Sequence, residues 1–250
     1  MTDVVALERH GRVALIRMNR PQARNALNYA LAKGLCDAIE AAQDAGCIVI
    51  TGADPAFSAG LDLRDLGVEK TSSLPSYTKA LQANKVPAIA AVNGPAVTGG
   101  FEIALCCDFI VASERAKFAD THVRVGVFPG PVLVDLPRRV GMAWAREMSL
   151  TGNFIDGETA LRIGLVNHLT PHEELMPLAM SLAQAIAEQD SDMVRAMRED
   201  WDATHGLPVV EAHRVHREHR TKTAFASQSK EHIAGRREAV LARSREQRAE

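Results

Sequence analysis

Two glycine-bearing turns hold the residues most able to do chemistry: Ala53-Asp54-Pro55-Ala56-Phe57-Ser58-Ala59-Gly60-Leu61-Asp62-Leu63 and Asn93-Gly94-Pro95-Ala96-Val97-Thr98-Gly99-Gly100-Phe101-Glu102. Neither contains the GK[ST] of a Walker loop or the GxGxxG of a dinucleotide fold. Each follows an apolar run that reads as a buried strand and precedes a predicted helix. Backbone N–H groups in such a turn stay unpaired where the helix dipole favours negative charge. Gly99-Gly100 leaves the backbone uncovered, so a ligand can approach it closely. Two N–H groups converging on one oxygen would form an oxyanion hole. Glu102, inside Gly-Gly-Phe-Glu-Ile-Ala-Leu, adds a carboxylate among apolar neighbours. A helix N-terminus favours that charge, but burying it is costly unless it has a task.

The elements that must position these turns show in the texture of the chain. Residues 12–18 (RVALIRM) predict a strand, broken by Asn19-Arg20-Pro21. Leu31, Leu35, Ala38, Ile39 and Ala42 recur at helical spacing after Asn28, a residue able to cap. Cys47 to Thr51, Ala88 to Val92 and Phe109 to Ala112 are unbroken apolar runs, and Leu165-Val166 with its neighbours has the same character. Buried strands flanked by helices predict a parallel α/β arrangement with both sheet faces covered. Past residue 190 the strands stop and the text turns to Glu, Arg and Ala at helical spacing, which predicts a core over 1–190 and a helical region over 191–250.

Composition narrows the function classes. The 250 residues are 46% apolar and 24% charged, with 29 basic against 31 acidic side chains, so the chain folds and offers no field for a nucleic-acid backbone. Val86 to Val111 is interrupted by Asn93, Glu102 and Asp108, and the opening MTDVVALERHGRV carries charges where a secretory signal needs apolar residues. A soluble, cytoplasmic protein with no membrane partner is expected. The four cysteines (Cys36, Cys47, Cys106, Cys107) lack CxxC spacing and sit in apolar runs, as buried reduced thiols do. His213, His216 and His219 invite a metal reading, but interleaved arginines repel a cation, and a solvated helix face is the better account.

Three ordered stretches carry a resemblance: Ala23-Arg24-Asn25-Ala26-Leu27, AFSAGLDL at 56–63, and AAVNGPAVTGGFEIALCCDFIVAS at 90–113. Together they resemble the enoyl-CoA hydratase/isomerase family, also called the crotonase family. The similarity continues through Phe118-Ala119-Asp120, Gly126, Pro129-Gly130, Leu136-Pro137-Arg138, Leu150-Thr151-Gly152, Ala160 and Gly164-Leu165-Val166. The resemblance implies an α/β, crotonase-like spiral of ββα units with a helical C-terminal part that assembles a homotrimer or a dimer of trimers. It also implies acyl-CoA thioester substrates, with no cofactor beyond the CoA that the substrate brings. The N–H groups of Leu61 and Gly99 would hold the thioester oxygen, and polarising that carbonyl stabilises an enolate. Gln22, Ala23, Ala59, Asp62, Leu63 and Arg64 would meet CoA, largely through backbone. Gln22 stands where a basic residue often faces the phosphates, a role Arg20 or Arg24 could take. Arg236, Arg237, Arg243 and Arg245 form a basic end that suits oligomer contacts or CoA phosphates.

One departure bears on mechanism. A family hydratase binds and activates water with a glutamate at the position of Glu102 and a second one twenty residues later, where this chain has His122. An imidazole can accept a proton from water or, once charged, donate one, so Glu102 and His122 form a workable acid–base couple of a non-standard kind. The other reading of His122 is a partly buried group bonded to Asp120 or to backbone. The aspartate near Gly130 or Pro131 that family dehalogenases, dienoyl isomerases and β-diketone hydrolases use is absent. Pro131-Val132-Leu133-Val134-Asp135 reads as a stiff, apolar loop with Asp135 as a helix cap. The leading expectation is a hydratase of 2-enoyl-CoA. The alternatives are an isomerase or hydrolase on the same fold, and an acyl-CoA-binding protein that has lost turnover.

Overall fold

The computed structural model describes residues 4–64, 74–223, 237, 240–242, 244 and 245. Arg236 and Arg243, part of the basic end, lie outside the described residues. The chain divides into two compact units, 1–191 and 192–250.

In the first unit, strands β1 (Val5–His10), β2 (Val13–Met18), β3 (Cys47–Gly52) and β4 (Ala88–Val92) enter one six-stranded sheet. Strand β5 (Ala96–Val97) belongs to a smaller sheet, β6 (Phe109–Ser113) returns to the large one, and β7 (Lys117–Ala119) and β8 (Ile155–Asp156) complete the small one. Strand β9 (His168–Thr170) closes the edge, giving the order β1-β2-β3-β4-β6-β9. From β2 to β9 all pairings in this sheet are parallel.

The unbroken apolar runs follow from two covered faces. Val13, Leu15, Cys47, Val49, Ile89, Ala91 and Val111 point to one side. There Leu175, Ala179, Ala183 and Ala187 of a helix over Leu175–Ala187 lie at four-residue spacing. The alternate residues, among them Ile16, Ile48, Ile50, Ala90 and Ile110, enter the main core. Helix α1 (Tyr29–Ala41) buries Leu31, Leu35, Ala38 and Ile39 in that core, and its predicted cap holds: Asn28 Oδ1 accepts from the Leu31 N–H at 3.0 Å.

The remaining helices are α2 (Tyr77–Ala83), α3 (Gly99–Leu105), α4 (His122–Val125), α5 (Val132–Thr151), α6 (Gly157–Arg162) and α7 (Leu175–Ala187), followed by α8 (Ser191–Thr204) and α9 (Val209–Lys222). Three expectations need correction. Leu165-Val166 is not a strand; both side chains are buried in the turn before β9. The stretch after Pro131 is not a loop but the first turn of α5, a helix interrupted at Gly141. Asp135 lies within that turn and makes no capping hydrogen bond. Strand β1, which pairs antiparallel with β2, went unread because most of it faces out and carries no apolar run.

In the second unit, His216 and His219 turn to one carboxylate. Their Nδ1 atoms lie 2.8 and 3.4 Å from Asp200 oxygens. No described helix is long and apolar enough to cross a membrane.

Candidate active site

Asn25 organises the first glycine turn. Fully buried and at φ 54°, it donates from Nδ2 to the carbonyls of Ala53 and Ala56, both at 2.7 Å, and accepts the Arg20 N–H on Oδ1 at 2.8 Å. Ser58 Oγ donates to the Asn25 carbonyl at 2.8 Å, and the Gly60 N–H donates to that hydroxyl at 3.3 Å. Leu27 then clamps the turn from both sides of Leu61: its N–H donates to Gly60 O at 2.7 Å, and its carbonyl accepts the Asp62 N–H at 3.0 Å. The Leu61 N–H between them meets no acceptor among the described residues.

The second turn is laid against the first. Ser58 N–H donates to Pro95 O at 3.1 Å, and Val97 N–H donates to Ser58 O at 2.9 Å. Contact is close at Gly60, where φ is +83° and a Cβ would stand 2.7 Å from Val97 O and 3.3 Å from the Gly99 nitrogen. Only glycine permits both that conformation and that approach. The Gly99 N–H, at the start of α3, also lacks an acceptor among the described residues. The structure thus brings Leu61 and Gly99 to adjoining turns with both amides unspent.

Glu102 sits one turn into α3, 5% exposed, and its Oε1 accepts the Gly130 N–H at 3.0 Å. Burial raises its pKa above the usual carboxylate value; the charge of His122 and the Val132 and Gly130 N–H groups oppose that rise, and Asp120 adds to it. His122, 4% exposed at the start of α4, places Nδ1 2.5 Å from Asp120 Oδ1. A carboxylate acceptor there fixes the proton on Nδ1 and leaves Nε2 as the nitrogen free to act. Asp120 is almost wholly buried; burial works against its charge, but hydrogen bonds from His122 and Ser149 hold its carboxyl below the usual range. His122 is thus bonded to Asp120, as one reading of it expected, and it also lines a cavity.

That cavity, of about 200 Å³, is lined by Ala59, Leu61, Leu63, Val97, Thr98, Thr121, His122, Val125 and Val127. Of the residues expected to meet CoA, Ala59 and Leu63 line it. Gln22 and Arg64 are exposed, Ala23 is half-buried, and Asp62 pairs with Arg20 at 3.2 Å. Arg20 is thereby engaged in holding the turn, also donating to Ala26 O, whereas Arg24, at φ 50°, and Arg64 are exposed.

Several contributors escaped sequence reasoning. Tyr77 on α2 places its hydroxyl 2.6 Å from where a Gly99 Cβ would stand, and burial followed by the Glu102 charge pushes its pKa up. Nothing in YTKALQA marks it, because the contact spans two distant helices. Ser113, His172 and Asp54 form a hydrogen-bonded chain: Ser113 Oγ lies 3.1 Å from His172 Nδ1, and His172 Nε2 lies 3.2 Å from Asp54 Oδ2. Ser113 is fully buried and accepts the Arg115 N–H, so the chain acts as a strut for the first turn rather than as a nucleophilic triad.

Comparison with known proteins places the chain in a family. The sequence profile of the enoyl-CoA hydratase/isomerase family matches residues 8–241. A probable mitochondrial enoyl-CoA hydratase of Dictyostelium discoideum is 36% identical over 221 residues, covering 84% of this chain and 79% of that protein. A probable enoyl-CoA hydratase of Rhizobium meliloti is 36% identical over 225 residues, covering 86% and 87%. The crystal structure of an enoyl-CoA hydratase subunit from Geobacillus kaustophilus superposes with a TM-score of 0.85 at 32% identity, covering 93% of this chain and 94% of that one. Two sheets wound together with helices, and two glycine turns facing one cavity, define an α/β protein of the crotonase fold. The chain belongs to the enoyl-CoA hydratase/isomerase family.

Proposed function

We propose that the chain is an enzyme that adds water to a 2-enoyl-CoA thioester. The observation that supports this reading is a cavity lined by Leu61 and His122, with the unspent Leu61 and Gly99 amides on adjoining turns and the buried Glu102, whose charge interacts with that of His122, one turn into the helix that Gly99 starts. The two N–H groups receive the thioester oxygen, which becomes an enolate oxygen when hydroxyl adds at the β-carbon. Glu102 and His122 hold the water between them. One proton leaves the water as its oxygen bonds to carbon, one proton reaches the α-carbon, and the couple ends the turnover as it began. His122 replaces the second carboxylate of a standard hydratase, with Asp120 orienting its ring. CoA enters as part of the substrate, and no other cofactor is needed. Arg24 is the side chain we assign to the CoA phosphates.

The test is hydration of crotonyl-CoA beside a butyryl-CoA binding titration. Glu102→Gln is expected to cut kcat by about 10²–10⁴-fold while butyryl-CoA binding persists. Full activity in that variant would remove Glu102 from the mechanism. Tight binding by the wild type with no turnover at any chain length would instead identify a non-catalytic acyl-CoA-binding protein.

A further inference from the structure

Thr98 has a backbone conformation that its residue type resists. It lies at φ 50°, ψ −114°, whereas Arg24, also at positive φ, sits in the ordinary left-handed region at φ 50°, ψ 40°. Glycine is the usual occupant of the Thr98 geometry, and a β-branched side chain there is strained. The residue directly precedes Gly99, whose amide is assigned to the thioester oxygen. A strained residue beside a reacting group calls for an account of what its side chain does.

That side chain is 8% exposed, and its Oγ1 lies 2.5 Å from Thr121 Oγ1. Both residues line the cavity of about 200 Å³, whose other walls are Ala, Leu and Val side chains and His122. Two hydroxyls carry two donors, and their mutual hydrogen bond consumes one. Neither hydroxyl has another partner among the described residues, so one O–H remains to be satisfied in a cavity whose other walls are apolar apart from His122. A hydrocarbon chain filling the cavity would strand that donor, whereas an oxygen on the chain would accept it.

We propose that the Thr98–Thr121 hydroxyl pair selects acyl thioesters whose short chain carries an oxygen, as hydroxyl or carbonyl, over plain alkyl chains. The cavity, of about 200 Å³, gives room for a chain of a few carbons. This inference rests on the acyl-CoA reading above and names the substrate class of that site.

The test uses butyryl-CoA and 4-hydroxybutyryl-CoA, saturated thioesters without a β-hydroxyl, so that calorimetric titration reads binding alone. Wild-type protein is expected to bind the hydroxylated chain about tenfold more tightly. In the double variant Thr98→Val, Thr121→Val the ratio of the two Kd values falls to about one, whereas either single valine variant, in which the remaining hydroxyl still offers one O–H, keeps it; the double variant Thr98→Ser, Thr121→Ser, which has both hydroxyls without the methyls, also keeps it. A wild-type ratio near one, or a double valine variant that keeps the preference, overturns the inference and leaves the hydratase reading intact. Binding of neither ligand by the wild type overturns both.

Discussion

At the residue scale, Glu102 and Asp120 are buried carboxyls shifted in opposite directions, and each makes a separate prediction. Between the ordinary value of 4.5 and its raised folded value, Glu102 holds more proton in the native than in the unfolded state, so its contribution to stability falls as pH rises through that window. Glu102→Gln should therefore melt at a higher temperature than wild type at neutral pH, with the advantage gone below pH 4.5. Under the proposed mechanism the same shift should set the acid limb of kcat/KM above 4.5. Gly130→Ala tests this from outside the couple. Its Cβ would stand 2.8 Å from Glu102 Oε1 and disturb the N–H bond that favours the ionised form, so the limb should move to higher pH. An unmoved limb would detach that titration from Glu102. For Asp120, stabilisation is complete above the ordinary 3.8 and is lost as pH falls through its lower folded value. Asp120→Asn should thus be less stable than wild type at neutral pH, with the deficit closing in acid. It should also lose kcat by about 10²-fold or more, as the His122 tautomer is released, with butyryl-CoA affinity retained.

At the element scale, the site depends on three short segments, 24–27, 58–62 and 95–98, which Asn25, Ser58 and Leu27 join. Replacing Asn25 by Leu leaves the carbonyls of Ala53 and Ala56 and the Arg20 N–H without their buried partner. Thermal melting should show a loss of about 2–4 kcal/mol, with activity falling further as the Leu61 amide drifts. Undiminished stability would show that water replaces the amide. This scale also separates what was legible in the sequence from what was not. The parallel strands could be read because burial on both faces leaves unbroken apolar runs, and α1 because its cap and stripe are local. The glycine turns and Glu102 were legible through residue type and spacing. The Asp120 partner of His122 was legible because it lies two residues away. Tyr77, Gly130 and the Ser113–His172–Asp54 strut were not legible, since each acts through a contact between segments far apart in the chain. Thr98 stayed hidden for another reason: threonine ordinarily signals extended backbone, and only neighbouring hydrogen bonds hold it at positive φ.

At the scale of the whole molecule, the resemblance to the family leads us to propose assembly through the C-terminal helical region. Light scattering should give three or six times the 27.1 kDa of one chain, and a stable monomer at micromolar concentration would refute it. The larger sheet has a division of labour that serves the site. One face is closed, among the described residues, chiefly by α7, so the other face and the strand ends are free to carry the turns. In those turns the unspent donors at Leu61 and Gly99 are main-chain groups. No side-chain exchange short of proline deletes a peptide amide, so mutagenesis that varies residues 102, 122 and the cavity walls leaves these donors in place. In a directed-evolution library built on this chain, carbonyl polarisation would be the inherited constant, and the fate of the proton the trait open to selection.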